Sequence, residues 1–335
     1  MSDMIDRIHI GEAEFLLPDE KMPYTLDAIH VPLKNPDGTW KLLTTDLGEK
    51  PYFRKLTSTP EEIFTKVDTF KMDFNGYCDT WPSGLWLWSA HKCDDGMVFA
   101  FVHRELISRR DPFFRDSFLV GIAVSYDNGD SWKYLGDICS NAINGNTNQE
   151  ISNMGGIPMY IRGDDIFIYF NDYDADRNKR ITGARMKLSE TIAAVREEKL
   201  PEVKKYSGNG VWDTDPVDGV GAPILPTLEG FHPDSHGSGV YCKPLDRFLM
   251  LMQTGGAGKL VMYVTQDGEH FDEHTIVDET GRDDMMQPYS FFMSTDGDCT
   301  DDMNEIGREF YIYYPHKSIK TYSYDEFYRR KVVID

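Results

Sequence analysis

The sequence predicts an all-β chain folded as a five-bladed β-propeller with one peripheral helix, and three observations carry that prediction. Most of the 335 residues fall into short apolar runs separated by Asp, Gly and Asn turns, not into alternating strands and helices. Aromatic residues make up 13% of the chain, 18 Tyr, 19 Phe and 6 Trp among them, a content that suits half-buried pleated strands. One pattern then occurs five times: a polar loop enters an apolar strand, a polar turn follows, and a second apolar strand ends in polar or charged residues. The units recur at roughly 50 to 80 residues, the length of a four-stranded blade with its loops, and a radial array of such sheets is a propeller.

The units run from Leu26 to Asp46, Cys78 to Glu105, Ser152 to Asp174, His232 to Thr254 and Gln287 to Ser318. Outer strand pairs follow some of them. Phe118 to Gly136 is the clearest, its two strands meeting at SYDNGDSW, where Asp127 caps backbone donors, a glycine takes a positive φ and Trp132 anchors the turn. Lys259 to Val277 repeats that chemistry with Asp267, Gly268 and Phe271. One segment, Ser189 to Tyr206, has helical apolar spacing at Ile192, Val195 and Leu200, with Ser189 as a candidate N-cap and Pro201 beyond. It is expected as a helix packed outside a blade. No linker or low-complexity stretch divides the chain, so residues 1–335 are read as one propeller domain.

Bulk properties exclude several functions. A formal net charge of -21 with no local basic patch argues against nucleic acid as a partner. No window approaches eighteen apolar residues, so no membrane span is expected. The five cysteines, Cys78, Cys93, Cys139, Cys242 and Cys299, are odd in number and lack zinc-type spacing, which suits free thiols in a reducing compartment. The opening MSDMIDRIHIGEAEF has no apolar signal stretch, and a cytoplasmic location is the expectation. No spacing supports a metal site or a cofactor.

Propeller topology then directs attention to particular residues. Every first strand runs the same way along the central channel and every second strand runs back, so first-strand starts and second-strand ends collect at one mouth. The starts supply Asp27, Asp79, Asn153 with Glu150 before it, Asp234 with Ser235 and His236, and Gln287. The ends supply Asp46, His103, Glu105, Asn171, Asp172, Gln253, His316 and Lys317. The opposite rim carries acids too, in DDG at Asp94 to Gly96 and GDD at Gly163 to Asp165, but glycine turns explain those as solvated hairpins. Several carboxylates around one funnel suit glycosidic-bond chemistry, in which one acid protonates the leaving oxygen and another activates water or attacks carbon. Mutual repulsion separates their pKa values and keeps one protonated.

Two resemblances attach to these residues. SYDNGDSW resembles the Asp-box of sialidases and related propellers, a motif that is structural and lies away from their active sites. The five-unit count with acids at strand starts resembles the five-bladed glycoside hydrolases of family 43 and its relatives 62 and 117. GGIPMYIRGDDIFIYFNDYD with the following helix, together with HPDSHGSGVY and FYRRKVVI, is also similar to bacterial propellers described only as hydrolase-like. Family 43 implies an Asp base, an Asp that modulates pKa and a Glu acid. Here Asp27 or Asp79 matches the base and Asp172 or Asp234 the modulator, while Glu105 and Glu150 compete for the acid and blade four offers His236.

The expected activity is therefore hydrolysis of a small oligosaccharide or glycoside. Asp79, Glu105, Asp172 and Asp234 form the expected acid/base set, and Asp27, Trp81, His103, Glu150, His236 and His316 are the expected binders. Trp81, Trp86 and Tyr173 are the aromatics near the rim. Two other readings stay open at this point: glycoside phosphorolysis, which needs a cationic pocket from Arg104, His103, His316 and Lys317, and a non-catalytic carbohydrate-binding propeller.

Overall fold

The computed structural model describes residues 4–18, 29–46, 52–58, 68–75, 83–107, 115–140, 154–173, 179–217, 219–226, 233–254, 258–271, 273–282, 284–318, 320 and 324–335. After β1 (Ile8–Pro18), the first blade is β2 (Val31–Lys34), β3 (Trp40–Asp46), β4 (Tyr52–Ser58) and β5 (Asp68–Asn75). The second is β6 (Ser83–Lys92), β7 (Val98–Ile107), β8 (Arg115–Ser125) and β9 (Ser131–Cys139). The third is β10 (Met159–Arg162), β11 (Asp165–Tyr173), β12 (Lys179–Lys187), then helix α1 (Leu188–Arg196), β13 (Lys204–Gly208) and β14 (Val211–Thr214). The fourth holds β15 (Pro233–Asp234), β16 (Gly239–Cys242), β17 (Arg247–Thr254), β18 (Lys259–Thr265) and β19 (Glu273–Glu279). The fifth holds β20 (Met285–Met286), β21 (Phe291–Ser294), the short β22 (Glu305–Ile306), β23 (Glu309–Ser318) and β24 (Tyr324–Ile334).

Among the described residues the hydrogen-bonded sheets number four, because parallel pairing of β5 with β9 joins the outer edges of blades one and two into one eight-stranded sheet. Each half of that sheet is its own antiparallel meander, so the blades are five. Blade five is completed by β1, which pairs antiparallel with β24 from Ile8↔Ile334 to Pro18↔Glu326. The two ends of the chain thereby share a sheet and close the ring. Blades four and five are further joined by the parallel pairing of β16 with β22.

Burial follows position within a blade. Second and third strands are sandwiched by neighbouring blades and need both faces apolar, and β11 (DIFIYFNDY), β17 (RFLMLMQT) and β18 (KLVMYVT) are accordingly almost continuously buried. Outer strands face water on one side, and β14 and the first half of β19 alternate instead. Between blades three and four, Tyr160 stacks on Phe248 at 4.5 Å and 20°, inside a cluster that includes Phe167, Tyr169, Met250 and Phe271.

The turn reading of SYDNGDSW matches the geometry. Asp127 Oδ1 accepts from the N–H groups of Asp130 and Ser131 at 3.1 and 2.8 Å, and Ser125 Oγ accepts from Gly129 N–H at 2.7 Å. Asn128 and Gly129 have φ of 58° and 85°, and Trp132 is buried with its Nε1 donating to Gly129 O at 3.1 Å. The corresponding turn of blade four repeats this, with Asp267 Oδ1 accepting from Glu269 and His270 N–H at 2.8 Å each. The helix is shorter than its apolar spacing predicts. It ends at Arg196; Glu198 then turns with φ of 56° and Lys204–Gly208 becomes a strand. Its cap also differs: Asp164, from the β10–β11 turn, accepts from Ser189 N–H at 2.8 Å, while Lys187 holds the N-cap position. Cys93, Cys139, Cys242 and Cys299 are free thiols, and no helix among the described residues is long and apolar enough to cross a membrane.

Candidate active site

Antiparallel pairing sets the start of each inner strand against the end of the second. Gly84 and Trp86 of β6 lie opposite Glu105 and His103 of β7. Asp234 lies opposite Gln253, and Met286 opposite Lys317. In blade three the Asn171 N–H reaches Gly155 O at 3.4 Å. The parallel bridge between Gly237 and Ser290 shows the inner strands of blades four and five running the same way. Residues remote in sequence thus gather at one mouth.

His103 and Glu105 are two apart on β7, so strand alternation sends both to one face and Arg104 to the other. His103 Nδ1 lies 3.1 Å from Met154 O, and Nε2 lies 3.2 Å from Glu105 Oε1. A carbonyl oxygen only accepts, so Nδ1 carries a proton. The second contact then requires another, on Nε2 or on the Glu105 carboxyl. The two groups are only 5% and 8% exposed.

Aromatic rings enclose that pair. Phe118 stacks on His103 at 5.4 Å, while Trp86 and Trp88 approach the imidazole at 5.6 and 6.2 Å. Trp88 extends the contact to His236 at 5.8 Å and Tyr289 at 5.9 Å, and its Nε1 donates to Gly237 O at 3.0 Å. Blades two, four and five therefore meet at one indole. Low polarity around the pair strengthens the electrostatic effect of moving its proton.

The other expected site residues divide sharply. Asp172 is fully buried: its carboxylate accepts from Tyr173 and Gly221 N–H at 2.9 and 3.1 Å and lies 3.6 Å from Lys205 Nζ, also fully buried. Burial pushes its pKa up while Lys205 pulls it down. Lys205 Nζ is further held by Ser140 O and Gly219 O at 2.6 and 2.8 Å. Asp172 thus faces the inside of blade three, and its neighbour Asn171 reaches toward blade four, with Oδ1 accepting from Ser235 N–H at 3.0 Å.

His316 is drawn into a joint between blades. Its Nε2 lies 2.9 Å from Asp278 Oδ2, and Asp278 also accepts from Tyr314 O–H at 3.1 Å, Arg330 Nη2 at 2.9 Å and Gln287 Nε2 at 3.2 Å. Burial raises the Asp278 pKa, but the hydrogen bonds from His316, Arg330 and Gln287 outweigh it and hold the carboxyl at about 2. Asp234 sits on β15 at the mouth, its side chain outside the described residues, and Asp27, Asp79, Trp81 and Glu150 also lie outside them. His236 reaches the cluster through Trp88. Trp88 and Tyr289 are the additions that sequence reasoning missed. LWLWSA is legible only as an apolar strand, and nothing in QPYS distinguishes Tyr289 from a loop tyrosine.

A cavity of about 640 Å³ opens at the far end of β6, lined by His91, Lys92, Asp94, Asp301, Asp302 and Glu305 among others. Within that lining His91 Nδ1 lies 3.0 Å from Asp302 Oδ2 and Lys92 Nζ lies 3.1 Å from Asp301 Oδ2. Midway along the axis a void of about 30 Å³ lies beside Trp88, His30, Ser238 and Phe291. Burial holds His30 at about 4, so it is neutral at pH 7. Among the described residues no three His, Cys, Asp or Glu side chains converge as a metal site. The far cavity is the larger of these two, whereas the buried His103–Glu105 pair inside aromatic walls marks the first mouth, and the chemistry is the stronger guide.

No protein-family model matches the chain, and comparison with curated proteins gives no match. Solved structures do match. A protein of unknown function from Dyadobacter fermentans DSM 18053 aligns with a TM-score of 0.55 at 12% identity, covering 98% of this chain and 100% of the other. An α-L-arabinofuranosidase from Podospora anserina, solved with cellotriose, gives 0.53 at 7% identity over 97% of each chain. The catalytic domain of a GH62 α-L-arabinofuranosidase from Coprinopsis cinerea gives 0.52 at 8% identity, covering 98% and 96%. The chain is therefore a β-propeller of the fold on which those glycoside hydrolases are built.

Proposed function

We propose that the protein is a glycoside hydrolase acting on a small oligosaccharide at the mouth formed by β6–β7, β15–β17 and β20–β23. The observation that carries this reading is the buried contact of His103 Nε2 with Glu105 Oε1 at 3.2 Å within the Trp86, Trp88 and Phe118 rings. In this reading the pair protonates the leaving oxygen, and a second carboxylate, Asp79 or Asp234, activates water or attacks the anomeric carbon. Asp172 serves as a buried anchor that keeps Asn171 aimed at Ser235 and so positions the His236 loop. The recognised structures of the same fold, one of them holding cellotriose, support a carbohydrate as the ligand.

The test is turnover of an oligosaccharide panel by wild type and Glu105→Gln. Losing general acid catalysis costs about 10²- to 10⁴-fold in kcat. Unchanged kcat in Glu105→Gln removes the pair from the mechanism. Phosphorolysis finds less support, because Arg104 points away from the mouth, gives Nη1 to Asp137 Oδ2 at 2.5 Å and lies over the Tyr134 ring at 5.6 Å. Turnover in phosphate-free buffer separates the two reactions.

A further inference from the structure

The inner strands of blades four and five both break at the mouth. In blade five, β20 and β21 pair with the same strand, β23, so that Gln287 to Ser290 face only Tyr314 to His316. In blade four, Ser235 to Ser238 interrupt the pairing of β15 and β16 with β17. The two breaks meet: Tyr289 N–H donates to His236 O, Ser238 N–H donates to Ser290 O at 3.0 Å, and Gly237 bridges to Ser290. An extra residue of this kind re-aims side chains relative to the regular pleat.

Tyr289 is the residue re-aimed. Its φ is 60°, in the left-handed region that a bulky aromatic residue rarely enters. Pro288 and Ser290 on either side are buried, whereas Tyr289 is half-buried. Its ring makes edge contact with His236 at 5.8 Å and a tilted contact with Trp88 at 5.9 Å, and Lys317 Nζ lies 5.8 Å from its centroid. By contrast Trp86 and Trp88 are 7% and 3% exposed, too covered to present a face to a ligand. An outlying backbone conformation held in place by surrounding contacts at a candidate site points toward function.

We infer that Tyr289 is a substrate-contacting residue, its ring stacking on the apolar C–H face of a neutral sugar ring and its strained backbone serving to aim it there. This rests on the glycosidase reading of the mouth and names the ring that would hold the sugar. An aromatic face suits a sugar because one side of the ring presents C–H groups, while its hydroxyls turn outward to polar partners such as His236.

The experiment compares full-length wild type, Tyr289→Phe, Tyr289→Ala, Tyr289→Gly and Glu105→Gln on arabinobiose and cellotriose, reading KM, kcat and melting temperature. Stacking predicts that Tyr289→Ala raises KM about tenfold, the effect of losing roughly 1.4 kcal/mol of binding, with kcat nearly unchanged and Tyr289→Phe close to wild type. The aiming role predicts that Tyr289→Gly melts above Tyr289→Ala by about 2 °C, since both lack the ring and only Ala keeps the strain. Wild-type KM in Tyr289→Ala while Glu105→Gln is inactive overturns the inference and leaves the glycosidase reading intact. Raised KM in Tyr289→Ala with full activity in Glu105→Gln supports the inference and overturns the acid assignment. Equal melting of Ala and Gly variants overturns the aiming role, and absence of binding and turnover of both sugars by wild type overturns both proposals.

Discussion

Replacing Asp278 by Asn separates the charge of the blade four to blade five joint from its shape. Asp278 is 7% exposed and has donors from Tyr314, Arg330, His316 and Gln287, so removing its charge leaves Arg330 and His316 facing a neutral amide. Breaking a buried pair from one side costs about 3 to 5 kcal/mol, and the amide oxygen of Asn keeps one acceptor, so a loss of about 3 kcal/mol at pH 7 is expected. An independent route gives the part that depends on pH. Folding lowers the carboxyl from 3.8 to about 2. That difference contributes about 2.5 kcal/mol at pH 7, of which about 2 kcal/mol is lost by pH 2, where the folded group is half protonated. Because the folded pKa is the lower one, that stabilisation is complete above the unfolded pKa and disappears as pH falls through about 2. Urea denaturation of both proteins at several pH values from 7 to 2 should show the gap shrinking from about 3 to about 1 kcal/mol, nearly all of the change below pH 4. A gap that stays constant across that range refutes the account of what holds Asp278 ionised.

Lys205→Met should destabilise by about 3 to 5 kcal/mol, measured by denaturant midpoint, because it strands the fully buried Asp172. Lys205→Met combined with Asp172→Asn should recover much of that loss. Gly156→Ala should fail to give folded protein, or lose more than about 4 kcal/mol by the same measurement. A Cβ there would lie 1.1 Å from the backbone carbonyl oxygen of Ser235, at a φ of 71°. Glu105→Gln should keep the wild-type melting temperature within about 2 °C while kcat falls, since Gln preserves the size of the side chain.

Much of the architecture was legible because its determinants are local. Five two-stranded units announced themselves through apolar runs and polar turns, and each proved to be the inner pair of a blade. Asp127 and Asp267 were readable as turn residues because their hydrogen-bond partners lie within a few positions. The helix was overextended because side-chain spacing through Leu200 looks helical, while the reversal at Glu198 and the pairing of β13 with β12 are contributed by backbone geometry and a partner strand. Closure of the ring by β1 and β24 pairs residues more than three hundred positions apart, and no local pattern marks either strand as the other's partner.

By itself the sequence determined where the strands turn and which residues stand at strand ends, because alternation and turn chemistry act over two to five residues. Only the tertiary structure decided what those end residues do. Asp172 and Glu105 occupy equivalent places at the ends of second strands, yet one meets Lys205 from β13 inside its blade and the other meets His103 inside a ring of aromatics. The physical reason is that a carboxylate's protonation and reach depend on the charges and burial supplied by whatever packs against it, and those neighbours come from strands far along the chain. Tyr289 shows the same division, since its identity is written in the sequence while its left-handed backbone and half-buried position exist only where the broken inner strands of two blades meet.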